Sequence, residues 1–414
     1  MLAIIGLSML FPALVGLFYG ETNLFAYLYS MVGCLSVSIP IWFLTRRSRK
    51  LSIKDGFALV AFAWIIVAIA GSLPFYFTGA IPNFTDAWFE AMSGVTTTGA
   101  TIIGNVNTLP HLENGIESLP KGILFWRSFL QWIGGMGIIV FTIAILPLLG
   151  VGGVQLFKAE VPGPVADKIK PRVKETAKIL WMVYVGFTVL QMVLLRLAGM
   201  PLFDSICHAF TTMPTGGFST QNASIAAYNS PLIQYIVIFF MFVAGINFTL
   251  HFRTITGNFT ALFKDYELKV YIVTIVFATF VIFLSLSASN SDWSHKSFMV
   301  SLFQSIAIMT GTGYANADYE MWPYFCQLAL FILMFFGAMG GSTSGGMKLT
   351  RIIVLIKYAA TETRRMLHSR AIIPIRIGER SINDDIVRNT LGFFLIYLSI
   401  FVLTALVLTA FNLD

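Results

Sequence analysis

The sequence predicts an all-α polytopic membrane protein. A membrane helix, a pore helix, a filter-type loop and a returning membrane helix repeat in a pseudo-fourfold arrangement, with the fourth unit incomplete. Three observations carry this. The 414 residues are 57% hydrophobic and 11% charged, more apolar than one soluble core can hide. Nine apolar stretches reach the roughly 20 residues needed to cross hydrocarbon as helices. Three segments of similar layout recur, each holding a Gly/Thr-rich turn.

The spans fall near residues 1–19, 25–45, 56–79, 124–148, 178–199, 232–252, 270–288, 324–347 and 388–411. The first has no basic flank or cleavage site and reads as a retained span, not a signal peptide. Cys34, Cys207 and Cys326 show no metal or disulfide spacing. The five histidines are scattered and read as loop or interface residues. Trp42, Trp126 and Trp132 read as interface anchors.

Charge sets the topology. The segments 46–54, 158–178, 253–269 and 348–388 hold 23 of the 27 Lys and Arg. The positive-inside rule puts all four in the cytoplasm, and the amino terminus with them. The other four bases, Lys121, Arg127, Arg196 and Lys296, lie near span ends and are expected to snorkel. The outer loops are net acidic, which concentrates cations at the mouth or merely solvates the loops.

Organisation follows from the repeat. Residues 1–55 form two amino-terminal spans, 56–157 the first unit, 158–253 the second and 254–360 the third. Residues 361–414 form a cytoplasmic linker and the first helix of a truncated fourth unit. With Gly99, Gly217 and Gly313 as anchors, "FTDAWFEAMSGVTTTGATI", "LFDSICHAFTTMPTGGFST" and "FMVSLFQSIAIMTGTGYAN" align. Asp86 and Asp204 stand 13 residues before the first two anchors. Each unit contains a helix too short to span, so it is expected to be re-entrant. Its carbonyl end then faces a central cavity and favours a cation. Glycine permits the torsions that aim carbonyls at an axis, and rings of carbonyls replace the hydration shell of a monovalent cation. The candidate ion-site residues are Thr97, Thr98 and Gly99; Thr215, Gly216 and Gly217; and Gly311, Thr312 and Gly313. The threonines support the backbone there or simply bond within turns. Unit spacing places a fourth turn beyond Asp414, and the sequence is expected to be a piece lacking it.

"FFGAMGGSTSGGMK", residues 335–348, interrupts the eighth span with a composition that destabilises a helix. Gly340, Gly341, Ser342, Thr343, Ser344, Gly345, Gly346 and Lys348 form a candidate gating loop, or else a close helix contact through small residues. A phosphate-loop reading fails, because Met347 intervenes and Leu349 follows Lys348.

"TTTGAT", "MPTGGFST", "TGTGYAN" and "GGSTSGGMK", in this order, resemble the membrane subunit of bacterial Trk/Ktr-type potassium uptake systems over nearly the whole chain. The two additional leading spans match the Trk branch. The resemblance implies a potassium-channel-like pore of four units, a homodimer in the bacterial inner membrane, and K+ bound at the residues above. It also implies a cytosolic TrkA-like ring, which alone would hold nucleotide (ATP/ADP or NAD); no cofactor is expected in this chain. Segments 158–178 and 348–388 are the candidate docking surface, or a contact with anionic membrane lipid; no nucleic acid is expected. The competing readings are a potassium/proton or potassium/sodium symporter, which normally carries ionisable residues at mid-membrane, and a membrane enzyme, for which no convergent nucleophile, base or metal set is found. Among the spans only the polar Asn247 and Gln131 look central.

Overall fold

The computed structural model describes residues 1–45, 53–104, 109, 112, 114–144, 173–368, 373–378 and 380–411. Basic residues 46–50, most of the 158–178 segment and residues 369–372 lie outside them.

The helices fall where the apolar runs stand, with three corrections. The first span divides at Met9 into Leu2–Ser8 and Leu10–Phe18, followed by Leu24–Thr45. The sixth is not one helix: Pro231–Ala244 and Phe248–Ile255 meet at 101°. Asn247 caps the second piece by accepting the Thr249 N–H at 2.8 Å. The eighth stops at Phe336 and a new helix runs from Leu349 to Leu367, across the boundary expected at residue 360. An antiparallel pair of two-residue strands, Arg376–Ile377 and Arg380–Ser381, lies in the linker. The last apolar run forms the helix Asp384–Ala410.

Each unit contains the expected short helix: Phe84–Val95, Leu202–Thr212 and His295–Met309. At about 1.5 Å per residue none crosses the hydrocarbon. The first is capped by Asn83 on Thr85 N–H at 3.0 Å and the third by Ser294 on Ser297 N–H at 3.3 Å. Longer helices bracket them: Ile53–Phe77 and Lys121–Ala144, then Val173–Leu197 and Pro231–Ala244, then Tyr266–Asn290 and Tyr324–Phe336. Tyr27, Phe75, Trp126 and Leu130 belong to a core joining the leading spans to the first unit. Tyr271, Phe303 and Met309 belong to one joining the second and third. Large apolar residues such as Phe43, Phe62, Val273, Phe277 and Leu403 point outward, as lipid-facing helices require.

Close packing between helices in lipid needs small residues at the contact. On Lys121–Ala144 that role falls to Gly134 and Gly135. A Cβ on Gly134 would strike the Val95 carbonyl, and one on Gly135 would strike Pro214. One helix thus lies against the first two turns at once.

Candidate functional site

The short helices deliver their C-terminal ends into turns that share one backbone path. Two residues before each anchor, Thr97, Thr215 and Gly311 have φ of 56°, 56° and 71°. At the anchors, Gly99, Gly217 and Gly313 have φ of 81°, 77° and 75°. The intervening Thr98, Gly216 and Thr312 do not take positive φ. Left-handed torsions at threonine are uncommon and persist only where surroundings enforce them. The repeat is therefore stricter in torsions than in residue types.

The turns meet. A Cβ on Gly99 would overlap the Gly216 carbonyl oxygen, and a Cβ on Gly217 would overlap the Thr312 carbonyl oxygen. Only glycine allows this approach. Thr98, Gly311 and Gly313 are exposed, whereas Thr97, Thr215, Gly216 and Thr312 are buried, so the first and third turns have an open side and a packed side, and the second is the most enclosed.

Behind the turns the supports differ. Thr96 and Thr98 hydroxyls pair at 2.8 Å in the first turn, and Thr310 and Thr312 pair at 2.8 Å in the third. The equivalent positions of the second turn, Pro214 and Gly216, have no hydroxyl. There the fully buried Gln131 donates Nε2–H to the Gly216 carbonyl at 2.8 Å and accepts the Phe218 N–H at 3.2 Å. Tyr314, also fully buried, lies 2.5 Å from the Thr211 hydroxyl and donates to the His208 carbonyl at 3.2 Å. It ties the third turn to the second short helix.

Several charged or polar residues lie deeper than the sequence indicates. Arg127 does not snorkel. It is 1% exposed, donates Nε–H to the Glu90 carboxylate at 2.7 Å and Nη1–H to the Ser219 carbonyl at 3.1 Å, and sits 4.0 Å from the Phe218 ring centroid. Glu90 also accepts the Thr101 hydroxyl at 2.9 Å and the Ile102 N–H at 3.2 Å. Trp126 is no interface anchor; it is buried and donates to the Gly71 carbonyl at 2.9 Å. His208 is buried between the Asp204 carbonyl (2.8 Å) and the Ser219 hydroxyl (3.0 Å), and Asp204 accepts the Thr220 hydroxyl at 2.8 Å.

Residues 337–348 form a loop and not a continuous helix packed through small residues. Positive φ at Gly337, Gly341, Gly346 and Lys348 winds it. It sits beneath the turns. The Thr343 hydroxyl donates to the Met213 carbonyl at 2.9 Å, just before the second turn. A Cβ on Gly311 of the third turn would lie 3.7 Å from the Gly345 nitrogen. The bend in the second unit holds the loop: Met339 N–H bonds the Gly245 carbonyl and Phe248 N–H the Gly341 carbonyl, both at 3.1 Å. Ser344 accepts the Ala338 N–H at 3.1 Å, and the Lys348 ammonium donates to the Ser344 carbonyl at 2.7 Å and the Ser342 carbonyl at 3.2 Å. The predicted loop residues and turns thus come together. Among the described residues no group of three or more His, Cys, Asp or Glu could hold a metal ion.

Known proteins share this plan. The profile of the TrkH family, described as a cation transport protein, matches residues 24–413. The chain is 40% identical over 422 residues to the Trk system potassium uptake protein TrkH of Vibrio parahaemolyticus, across 100% of this chain and 85% of that protein. It is 38% identical over 423 residues to the Trk system potassium uptake protein TrkH of Escherichia coli K12, across 98% of this chain and 83% of that one. With the Trk system potassium uptake protein TrkG of the same strain it shares 35% identity over 412 residues, 99% of this chain and 83% of the relative. The crystal structure of the potassium transporter TrkH from Vibrio parahaemolyticus aligns with a TM-score of 0.88 at 38% identity, covering 100% of this chain and 84% of that chain.

Proposed function

Because the chain belongs to the TrkH family of cation transport proteins, a family of transporters and not enzymes, we propose that it takes up potassium across the bacterial inner membrane through a gated, channel-like pore. The observation that carries this reading is the contact of Gly99 with the Gly216 carbonyl and of Gly217 with the Thr312 carbonyl. It brings three turns of alternating φ sign to one place, each at the carbonyl end of a short helix. The Thr97–Gly99, Thr215–Gly217 and Gly311–Gly313 stretches act as walls of a selectivity filter. Their carbonyls replace water around a desolvated K+, and the negative helix ends stabilise it there. Two supports are hydroxyl pairs and one is an amide, so the walls are not equivalent and discrimination against sodium is moderate.

Residues 337–348 act as the gate, since they lie against the second and third turns. The amino terminus is cytoplasmic, a reading supported by the 23 of 27 basic residues in alternate loops. The relatives' names describe a Trk system, which fits a cytosolic nucleotide-binding partner acting on a homodimer; ATP/ADP or NAD then belongs to that partner and not to this chain. Purified protein in proteoliposomes tests the filter. Gly99→Ser or Gly217→Ser is expected to raise sodium influx relative to potassium, and unchanged ratios would overturn the assignment. Buried Glu90 and Glu267 favour the symporter as the second reading. It requires potassium influx that follows a proton or sodium gradient at fixed voltage.

A further inference from the structure

The third unit opens with a carboxylate whose role the filter does not explain. Glu267 lies in the first turn of helix Tyr266–Asn290, which begins at the N-cap Asp265. It is 4% exposed. One of its oxygens, Oε1, accepts the Gly340 N–H at 2.8 Å and also the Thr350 hydroxyl. Gly340 lies inside the loop and Thr350 lies just beyond it, at the start of helix Leu349–Leu367. A single oxygen on a neighbouring helix thus joins the body of the loop to the helix that leads away from it.

The remaining loop contacts are of another kind. Met339, Gly341 and Thr343 bond to the second unit, and Lys348 bonds back to the loop itself. Among the hydrogen bonds described for residues 337–348, Glu267 alone anchors the loop to the third unit's own first span by a side-chain carboxyl. A buried N–H that loses its acceptor is left unsatisfied.

We infer that Glu267 is a positioning residue for permeation, a latch that keeps the loop seated beneath the second and third turns. Movement of helix Leu349–Leu367 reaches the loop through it. That helix carries Arg351, Lys357, Arg364 and Arg365, so a force applied to it by a partner or by the membrane surface acts on the latch through Thr350. The inference rests on the reading of residues 337–348 as the gate. Removing the carboxylate frees the Gly340 N–H and the Thr350 hydroxyl together, and the seated loop is weakened relative to an unseated one. The loss of these two hydrogen bonds corresponds to roughly tenfold in such an equilibrium.

The experiment is rubidium influx into proteoliposomes holding the purified protein without a cytosolic partner. Glu267→Ala, Glu267→Gln, Thr350→Val and a deletion of residues 342–344 are compared with the parent. The deletion is expected to raise influx, and Glu267→Ala to raise it about tenfold. Thr350→Val, close to isosteric, raises it less, and Glu267→Gln, which keeps an acceptor oxygen, stays near the parent. If Glu267→Ala fails to give monodisperse protein, Thr350→Val carries the test. A deletion that raises influx while Glu267→Ala and Thr350→Val match the parent overturns the latch and leaves the gate standing. A deletion without effect overturns both.

Discussion

Replacing Arg127 by alanine removes a guanidinium that faces three partners in a space closed to water. It loses the 2.7 Å pair with Glu90, the 3.1 Å bond to the Ser219 carbonyl and the 3.2 Å bond to the Thr101 hydroxyl. Glu90 is left with the Thr101 hydroxyl and the Ile102 N–H, too little to compensate a buried charge. Breaking such a pair from one side costs about 3–5 kcal/mol. Glu90→Ala incurs a penalty of the same order by stranding the arginine. Replacing both groups by apolar ones of similar volume, Glu90→Leu with Arg127→Met, strands neither charge, and that double change is expected to be milder than Glu90→Leu or Arg127→Met alone. The measure is a double-mutant cycle on the stability of the detergent-solubilised protein, read as the fraction folded along a denaturation series. Potassium and sodium influx of the same four proteins adds the functional half. Glu90 and Thr101 belong to the first unit, while Ser219 follows the second turn. The apolar pair should therefore regain stability without regaining the parent's ion preference. Additive single changes would refute the argument that the two charges act as one unit. A double variant with the parent's ion preference would refute their role in aligning the turns.

Other predictions follow from the same geometry. Gly79 (φ 72°) and Gly99 (φ 81°) share a left-handed backbone, but a Cβ on Gly79 meets nothing within 4 Å. Gly79→Ala should therefore incur only torsional strain of about 1–2 kcal/mol and retain uptake in a potassium-uptake-deficient strain. Gly99→Ala displaces the Gly216 carbonyl and should abolish growth on low potassium. Gln131→Leu removes both of its bonds to the second turn, leaving two buried backbone groups unmet at about 1–3 kcal/mol each. Sodium influx should rise relative to potassium in vesicle assays. Tyr314→Phe deletes one hydroxyl that bonds the second short helix. A loss of about 0.5–1.5 kcal/mol in folding stability with a small change in ion preference is expected from the same measurements.

Much of this was legible in the chain because glycine marks its own constraint. The anchors at 99, 217 and 313 stand out once three turns are aligned, and the loop at residues 337–348 stands out because a span cannot hold so many glycines. What escaped depends on tertiary partners. Nothing local distinguishes Gln131 from any amide in an apolar helix; its meaning comes from Pro214 and Gly216, residues more than 80 positions away that lack a hydroxyl. Arg127 stands near the start of its helix, where long basic side chains usually reach water, and its partner Glu90 belongs to another element. Glu267 falls in the basic segment 253–269, because the apolar run begins later. Asp265, capping Leu268 N–H at 2.8 Å, is the signal that starts the helix early enough to enclose it. The break before Phe248 carried a comparable signal, since Asn247 after Gly245 is an N-cap inside an apolar stretch.

On the proposed reading, the second unit is where selectivity and gating share parts. Its turn is gripped from the first unit by Gln131 and Arg127 and from the third by Tyr314. From below, Thr343 bonds the Met213 carbonyl that leads into the turn and also the Ala244 carbonyl at 3.3 Å, one residue before the bend that carries Gly245. A loop seated there cannot move without releasing the carbonyl next to Pro214, so on the proposed reading the closed gate also braces one wall of the filter. Thr343→Val keeps the shape and deletes only the hydroxyl. It should weaken the seated loop by about 0.5–1.5 kcal/mol and relax the second wall in the same step. Increased influx together with lowered potassium preference is the outcome this coupling demands, read from the two ions in parallel proteoliposome assays. Increased influx at unchanged preference would mean that the loop rests against the wall without supporting it.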